Sequence, residues 1–299
     1  MFGLASKGFI NTSLVMVPQM NFGANLKQLK IRMKAIGSIK KITKAMKMVA
    51  ASKMKAETSR LENGRNFAVG SVQKMLENES YVQKKKSTTA PKSTLLVPIT
   101  SDKGLCGSVN SSIVREVKRL ALNNRSAFGL LPVGEKGSSG LSRPFPDLLK
   151  SSIVNIQNVN FPTAAAIAHQ VSTQGAGYDQ VTLIYNHFKN AISYVVKHQE
   201  LLPRAQFLNL FKYVTRHEAV EPELEYSKNY FFELYMASSV YNALLNSSAS
   251  EQASRMNAME NASKNAGEIL SKLTLDYNKA RQAKITMELI EIISGASIV

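Results

Sequence analysis

The chain is poor in the residues that build disulfide frameworks and metal sites. It has one cysteine, Cys106, no tryptophan and only four histidines among 299 residues. A single cysteine can form neither an intrachain disulfide nor a cysteine-rich zinc site, and the scattered histidines lack the spacing of metal ligands. We therefore expect no metal and no cofactor, and the cysteine usage fits a reducing compartment.

Long apolar runs and early acidic residues are also missing. No run approaches the ~18 apolar residues of a membrane span, which predicts a soluble or peripheral protein. No aspartate or glutamate precedes Glu57. Residues 1–20 contain Lys7 and several hydroxyl residues, as organellar transit peptides do, although the usual arginine is missing. We predict a transit peptide over residues 1–20, and a disordered basic extension is the alternative.

Two long helical patterns occupy the ends of the chain, over residues 21–80 and 227–299. In the first, apolar residues recur every three or four positions, at Leu26, Leu29, Met33, Ile36, Ile39, Ile42, Met46 and Val49. In the second, the same spacing links Tyr230, Leu234, Tyr241, Leu244 and Leu245 to a run from Met256 to Ala280. A helix from Lys228 to Ile298 would be roughly 100 Å long. Narrow seams at opposite chain ends predict a long antiparallel coiled coil.

The net charge of +17 calls for an acidic partner, and much of it lies on the N-terminal helix. Nucleic acid is one option, but no aromatic residue between Leu26 and Arg60 could stack on bases. A membrane surface is another, but the stripe lacks bulky aromatic anchors. An acidic protein surface is the remaining specific partner, and a solvated charged face is the alternative.

The middle of the chain, residues 81–226, predicts a central α/β domain. Short apolar runs between turn residues predict strands at Ser93–Thr100, Ser126–Val133, Ile153–Val159 and Gln180–Tyr185. Helical stretches between them, Ser111–Leu122 and Thr163–Ser172, favour βαβ units and a Rossmann-like parallel sheet. The alternation in Ala191–Gln199, after a short link, predicts an antiparallel edge strand.

No catalytic or nucleotide-binding motif emerges from the sequence. Gly134–Gly140 (GEKGSSG) has the wrong order for a phosphate loop and is interpreted as a flexible loop. Cys106 lies between two glycines with no histidine nearby, which indicates a small buried residue, with a nucleophile as the alternative. We predict no catalytic site and no bound nucleotide. An α/β enzyme with helical arms is the rival hypothesis.

Five stretches go beyond such generic patterns. They are Ser38–Lys53 (SIKKITKAMKMVAASK) with Arg32 upstream, Ser101–Asn110 (SDKGLCGSVN), Ser250–Ala266 (SEQASRMNAMENASKNA), Tyr277–Gln282 (YNKARQ) and Ile285–Ala296 (ITMELIEIISGA). In content and order they closely resemble the gamma subunits of rotary (F-type) ATP synthases. The resemblance covers the chain from about Asn25 to its end.

This resemblance implies a non-catalytic rotor shaft that couples rotation of the membrane ring to conformational cycling of the catalytic beta subunits. The coiled coil would run along the axis of a hexamer of alpha and beta subunits, which bind the nucleotides. The central domain would contact the membrane c-ring and small central-stalk subunits of delta and epsilon type. The chain would not bind nucleic acid. Thiol-regulated chloroplast members of this family carry an inserted cysteine pair, which this chain lacks. With the N-terminal extension, that favours a mitochondrial over a chloroplast enzyme, placed on the matrix side of the inner membrane; a bacterial origin is the alternative.

Position within the family's motifs also implies contact residues on the first helix. Met46, flanked by Lys44 and Lys47, would face an acidic lever of the beta subunit. Methionine could equally serve the coiled-coil core.

Four further contact residues are implied near the C-terminus. Arg281 and Gln282 would hydrogen-bond a loop of the beta subunit, with a solvated face as the alternative. The apolar tip Leu289–Val299, with Ile292 and Ile293, would sit in a hydrophobic collar as a bearing. A frayed helix end is the alternative there.

Overall fold

A computed structural model describes residues 22–70, 93–123, 125–208 and 224–297. The chain divides into two compact units. A central unit comprises Lys41–Lys264, and an end unit comprises the chain up to Lys40 together with Asn265–Val299. Over the described ranges, no helix has both the length and the apolar character to cross a membrane. The predicted transit peptide lies outside the described residues.

The central unit contains a four-stranded mixed sheet. Its strands are β1 (Thr94–Pro98), β2 (Phe128–Leu130), β3 (Gln180–Phe188) and β4 (Tyr194–Leu201), in the order β2-β1-β3-β4. β1 is parallel to both β2 and β3, whereas β4 pairs antiparallel with β3 at the edge. The predicted parallel sheet with an antiparallel edge strand is confirmed.

Helices cover both faces of this sheet. α2 (Val109–Asn123) and α3 (Glu135–Ser142) pack on one face, around Ile113, Val117 and Leu141. The other face packs against α4 (Phe161–Gly175) and the first part of α5 (Leu224–Ala296). Alternate residues of β1 point into the two layers, since Leu95 belongs to one core cluster and Leu96 to the other. We call residues 93–208 the α/β domain.

Two local predictions in this domain are wrong. Ile153–Val159 forms no strand: only Ile153 makes an isolated bridge, and Asn155 has a φ of 62°, which breaks extended backbone. Gly134–Gly140 is mostly helical, as α3, rather than a flexible loop. Gly134, with a φ of 100°, makes the sharp turn into the helix. The side chains of Asp102 and Thr100 then accept hydrogen bonds from its first amides.

The two long helices are α1 (Phe22–Gly70) and α5, and they pair antiparallel within the central unit. Lys47 of α1 contacts Glu260 of α5, whereas Leu61, further along α1, packs against Leu245 and Ala249, earlier on α5. In the end unit, Gly267 of α5 lies beside Lys40 of α1. The predicted antiparallel coiled coil is confirmed.

The apolar spacing predicted part of the α1 seam on the wrong face of the helix. Ile39, Ile42 and Val49 are 47%, 58% and 58% exposed, as is Tyr230 of α5 at 69%. In the central unit the buried and half-buried positions of α1 follow a heptad through Thr43, Lys47, Ala50, Met54, Glu57 and Leu61. Because half of these are polar, the apolar pattern did not reveal the seam.

Candidate functional site

The two predicted contact lysines on α1, both in the central unit, lie in different surroundings. Lys44 is exposed and Met46 is half-buried beside the seam. The Nζ of Lys47 lies 2.6 Å from a carboxylate oxygen of Glu260 on α5. Lys47 thus has a partner within the chain, which sequence reasoning missed although Glu260 belongs to the distinctive stretch Ser250–Ala266. Of these two lysines, Lys44 is exposed and Lys47 is half-buried.

The last turns of α5 in the end unit expose apolar side chains. Arg281 and Gln282 are both exposed. Beyond them the exposed fractions lie between 46% and 71% for Ile285, Met287, Leu289, Ile290, Ile292 and Ile293. At 3.6 residues per turn these six residues cover about 220° of the helix circumference. We call them the apolar tip.

A polar strip of about 140° completes the circumference of the apolar tip. Lys284 and Glu288 form an ion pair there at 3.2 Å, one turn apart. Glu291 and Gly295 continue the strip. A helix that is apolar over most of its circumference needs a surrounding apolar surface, because water exposure of such residues is unfavourable.

The crevice at the carboxyl ends of β1 and β3 is filled by the chain itself. Ligands of open α/β sheets usually bind at this position, where the connections that follow two neighbouring strands go to opposite faces of the sheet. Here α5 crosses it with Leu244, Ser247 and Glu251. The cavity that remains has about 70 Å³, whereas small-molecule pockets have ~300–1,000 Å³. The crevice therefore serves as a packing surface.

Cys106 lies in the loop from β1 to α2 and is 3% exposed. The amide of Asn110 donates to its Sγ at 3.2 Å, and burial raises the pKa of the thiol. A protonated buried thiol is a poor nucleophile, so the prediction of a small buried residue is confirmed. In the described ranges, no group of three His, Cys, Asp or Glu side chains is placed to hold a metal ion.

Asp102, in the same loop, organises the backbone around it. Its carboxylate accepts hydrogen bonds from the backbone amides of Glu135, Asn155 and Ile156, at 2.8, 3.2 and 2.7 Å. These amides belong to the start of α3 and to the segment that the sequence suggested as a strand. Asp102 is therefore a structural residue whose acceptors replace the missing strand pairing.

Sequence comparison with known proteins identifies one family over nearly the whole chain. A sequence model of the ATP synthase family matches residues 25–299. The ATP synthase gamma chain of Paramagnetospirillum magneticum is 38% identical over 290 residues, covering 91% of this chain and 99% of the relative. The chain belongs to the ATP synthase gamma chain family. A mitochondrial relative, the F(1) complex subunit gamma of Dictyostelium discoideum, is 36% identical, with 92% of both chains covered.

Solved structures agree on the fold of this family member. A chain in the Euglena gracilis mitochondrial ATP synthase, OSCP/F1/c-ring, superposes with a TM-score of 0.78 at 23% identity, covering 92% of this chain and 94% of that one. A chain in the rotor of the same synthase gives a TM-score of 0.73 at 21% identity, covering 88% and 99%. Membership of the gamma chain family decides against both rivals, the nucleic-acid-binding coiled coil and the α/β enzyme. The contact residues stay predictions.

The filled crevice leads to a prediction about nucleotides. We expect the purified chain to show no ATP binding in the micromolar range by isothermal titration calorimetry. The reason is steric, because α5 occupies the place where a sheet of this type would take a phosphate-bearing ligand. A stoichiometric heat signal that ADP competes away would contradict this.

Proposed function

We propose that this chain is the central rotor shaft of a proton-driven ATP synthase, turning inside the catalytic ring and carrying no catalytic site of its own. Family membership supports a gamma-chain role. The observation that carries the mechanical part is the apolar tip, because a helix end with six exposed apolar side chains requires an enclosing partner. A ring of alpha and beta subunits with an apolar inner collar meets that requirement.

The shaft acts on the ring through differential contacts. A contact shifts a conformational equilibrium only by the difference in its free energy between the two states. Moving a beta subunit from mostly open to mostly closed takes about 5 kcal/mol, which shaft contacts and nucleotide binding share. Rotation presents different sides of α1 and α5 to each beta subunit in turn and so redistributes this free energy.

The remaining partners follow from the same proposal. The α/β domain would contact the membrane c-ring and small central-stalk subunits of delta and epsilon type. The chain would lie on the matrix side of the mitochondrial inner membrane, with residues 1–20 removed after import. The family match begins at residue 25, which leaves room for such a targeting segment. N-terminal sequencing of the mature protein should then start near Gln19–Asn21; a start at Met1 would contradict import by cleavage.

Co-purification tests the proposed function directly. A tagged chain expressed in its own cell should be recovered in a stoichiometric complex with three alpha and three beta chains, and that complex should hydrolyse ATP. Recovery with nucleic acid, or without the alpha and beta chains, would overturn the proposal.

Lys44 offers a test of the acidic lever. We expect Lys44→Glu to lower ATP turnover by the complex about two- to fivefold at low ionic strength, because it replaces attraction by repulsion at an exposed site. The loss should shrink as salt is added, since exposed charges are screened. Turnover measured against salt concentration checks both statements. Lys53→Glu, on the opposite side of α1, is the matched control and should have little effect.

A further inference from the structure

We propose that a polar stripe on α5, formed by Asn246, Ser250, Ser254 and Asn257, is the clamp through which torque passes between the α/β domain and the long helices. This inference rests on the rotor function proposed above and names the residues that position the shaft. The four residues follow one another at intervals of three or four, so they lie on one face of α5. All of them belong to the central unit.

Three of the four residues bind the end of β3 and the turn that leads to β4. The Asn246 side-chain oxygen accepts from the backbone amide of Phe188 at 3.3 Å. The Ser250 hydroxyl donates to the backbone carbonyl of Asn186 at 3.2 Å. The Asn257 amide donates to the backbone carbonyl of Ala191 at 2.8 Å. The hairpin is thereby fixed along three turns of α5.

The fourth residue binds the loop between β1 and α2. The Ser254 hydroxyl donates to the backbone carbonyl of Cys106 at 2.7 Å. The neighbouring Arg255, held by an ion pair with Glu251 at 2.5 Å, adds a longer hydrogen bond of 3.3 Å to the Gly104 carbonyl. A Cβ at Gly107 would lie 2.8 Å from the Ser254 hydroxyl oxygen. Glycine there allows the loop to come this close to the helix.

These contacts suit torque transmission because they are directional and, for three of the four residues, buried. Ser250 is fully buried, and Asn246 and Ser254 are 3% and 9% exposed. Earlier on α5, from Phe232 to Leu244, the helix meets the sheet through apolar side chains. That packing holds the helix through shape, whereas the hydrogen bonds of the stripe fix its orientation through specific donor–acceptor pairs. The hydrogen bonds of the stripe break when α5 turns relative to the two loops.

The test uses the complete synthase in inverted membrane vesicles. Each hydrogen bond of this kind shifts an equilibrium about fivefold, so Ser250→Ala, Ser254→Ala and Asn257→Ala together should raise the undocked fraction roughly a hundredfold. If the parent is undocked for about 2% of the time, that rise leaves about a third of the complexes docked, so ATP hydrolysis should continue while proton pumping per ATP hydrolysed falls about threefold. Single variants Ser250→Ala and Asn257→Ala are measured in parallel, so the result does not depend on assembly of the triple variant.

Two further variants separate a clamp from a merely stabilising contact. Ser271→Ala removes a hydroxyl that donates to the Gly267 carbonyl of α5 itself, and it should leave the pumping ratio unchanged. The second variant combines Ser250→Ala and Ser254→Ala with a cysteine pair, Ala191→Cys and Asn257→Cys. Its pumping ratio should return to the parent value when the disulfide forms and fall again when the disulfide is reduced. The same oxidant is applied to the parent complex as a reference.

The possible results are distinct. An unchanged pumping ratio in the triple and single variants, in assembled complexes, overturns the clamp while leaving the rotor function intact. A stability loss that the disulfide repairs without restoring pumping also overturns it. A parent complex that contains the chain but pumps no protons contradicts the proposed function itself.

Discussion

The double variant Arg281→Ala, Gln282→Ala is expected to slow ATP turnover by the assembled complex about tenfold, because it removes charge-assisted and amide hydrogen bonds to a beta-subunit loop. Both residues are exposed in the end unit, as a contact to another subunit requires. The measurement is steady-state ATP hydrolysis by purified complex, with subunit composition checked on a native gel. We expect assembly to survive, because neither side chain contributes to a core.

A neighbouring cation provides the control for this variant. Lys279 is also exposed and lies two residues earlier on α5. Lys279→Ala removes one positive charge without touching the proposed contact, so its turnover should stay within twofold of the parent. If turnover slows equally in both variants, the cause is the loss of net charge and not the proposed contact. Unchanged turnover in the double variant would leave the proposed contact without support.

The apolar tip leads to the second large effect. Ile292→Glu with Ile293→Glu is expected to lower the yield of assembled complex at least about tenfold, because enclosure would bury two unpaired carboxylates. In the structure these isoleucines are 71% and 59% exposed, so the same change costs the isolated chain little. Assembly yield on a native gel, compared with the circular dichroism of the chain alone, measures the two effects separately.

Apolar replacements at the same positions test the enclosure more narrowly. Ile292→Leu with Ile293→Leu keeps the apolar volume and should assemble like the parent. If the glutamate variant assembles with full yield and turnover, the tip is a solvated helix end and the bearing does not exist.

Much of the fold could be predicted because its signals are local. Apolar runs marked β1, β2 and β3, alternation marked β4, and the spacing in the terminal segments marked both long helices. The missed α3 and the false strand at Ile153–Val159 share one physical cause. Both are shaped by Asp102, whose carboxylate binds backbone amides 33, 53 and 54 residues away in the chain. Local sequence patterns carry no trace of such a distant acceptor.

The contact residues stay predictions, and they came from a different source. Lys44, Met46 and Arg281 were identified by their place in family motifs, since exposed polar residues carry little local signal of their own. Burial shows what the motifs could not, that Lys47 is paired with Glu260 and that the seam of α1 runs through Thr43 and Ala50 rather than Ile42 and Val49. A seam in which half of the positions are lysine, threonine or glutamate cannot be recognised from apolar periodicity.

The crossing of α5 over the carboxyl edge of the sheet has a consequence for the whole machine. A small molecule could enter that groove only by lifting out Leu244, Ser247 and Glu251, and with them the helix that has to transmit work. The chain itself would therefore not sense nucleotides by binding them in this groove, and any response to their concentration would come from the ring around it. At the position where sheets of this type usually bind a ligand, this chain places its own helix, and the sheet edge holds that helix in place.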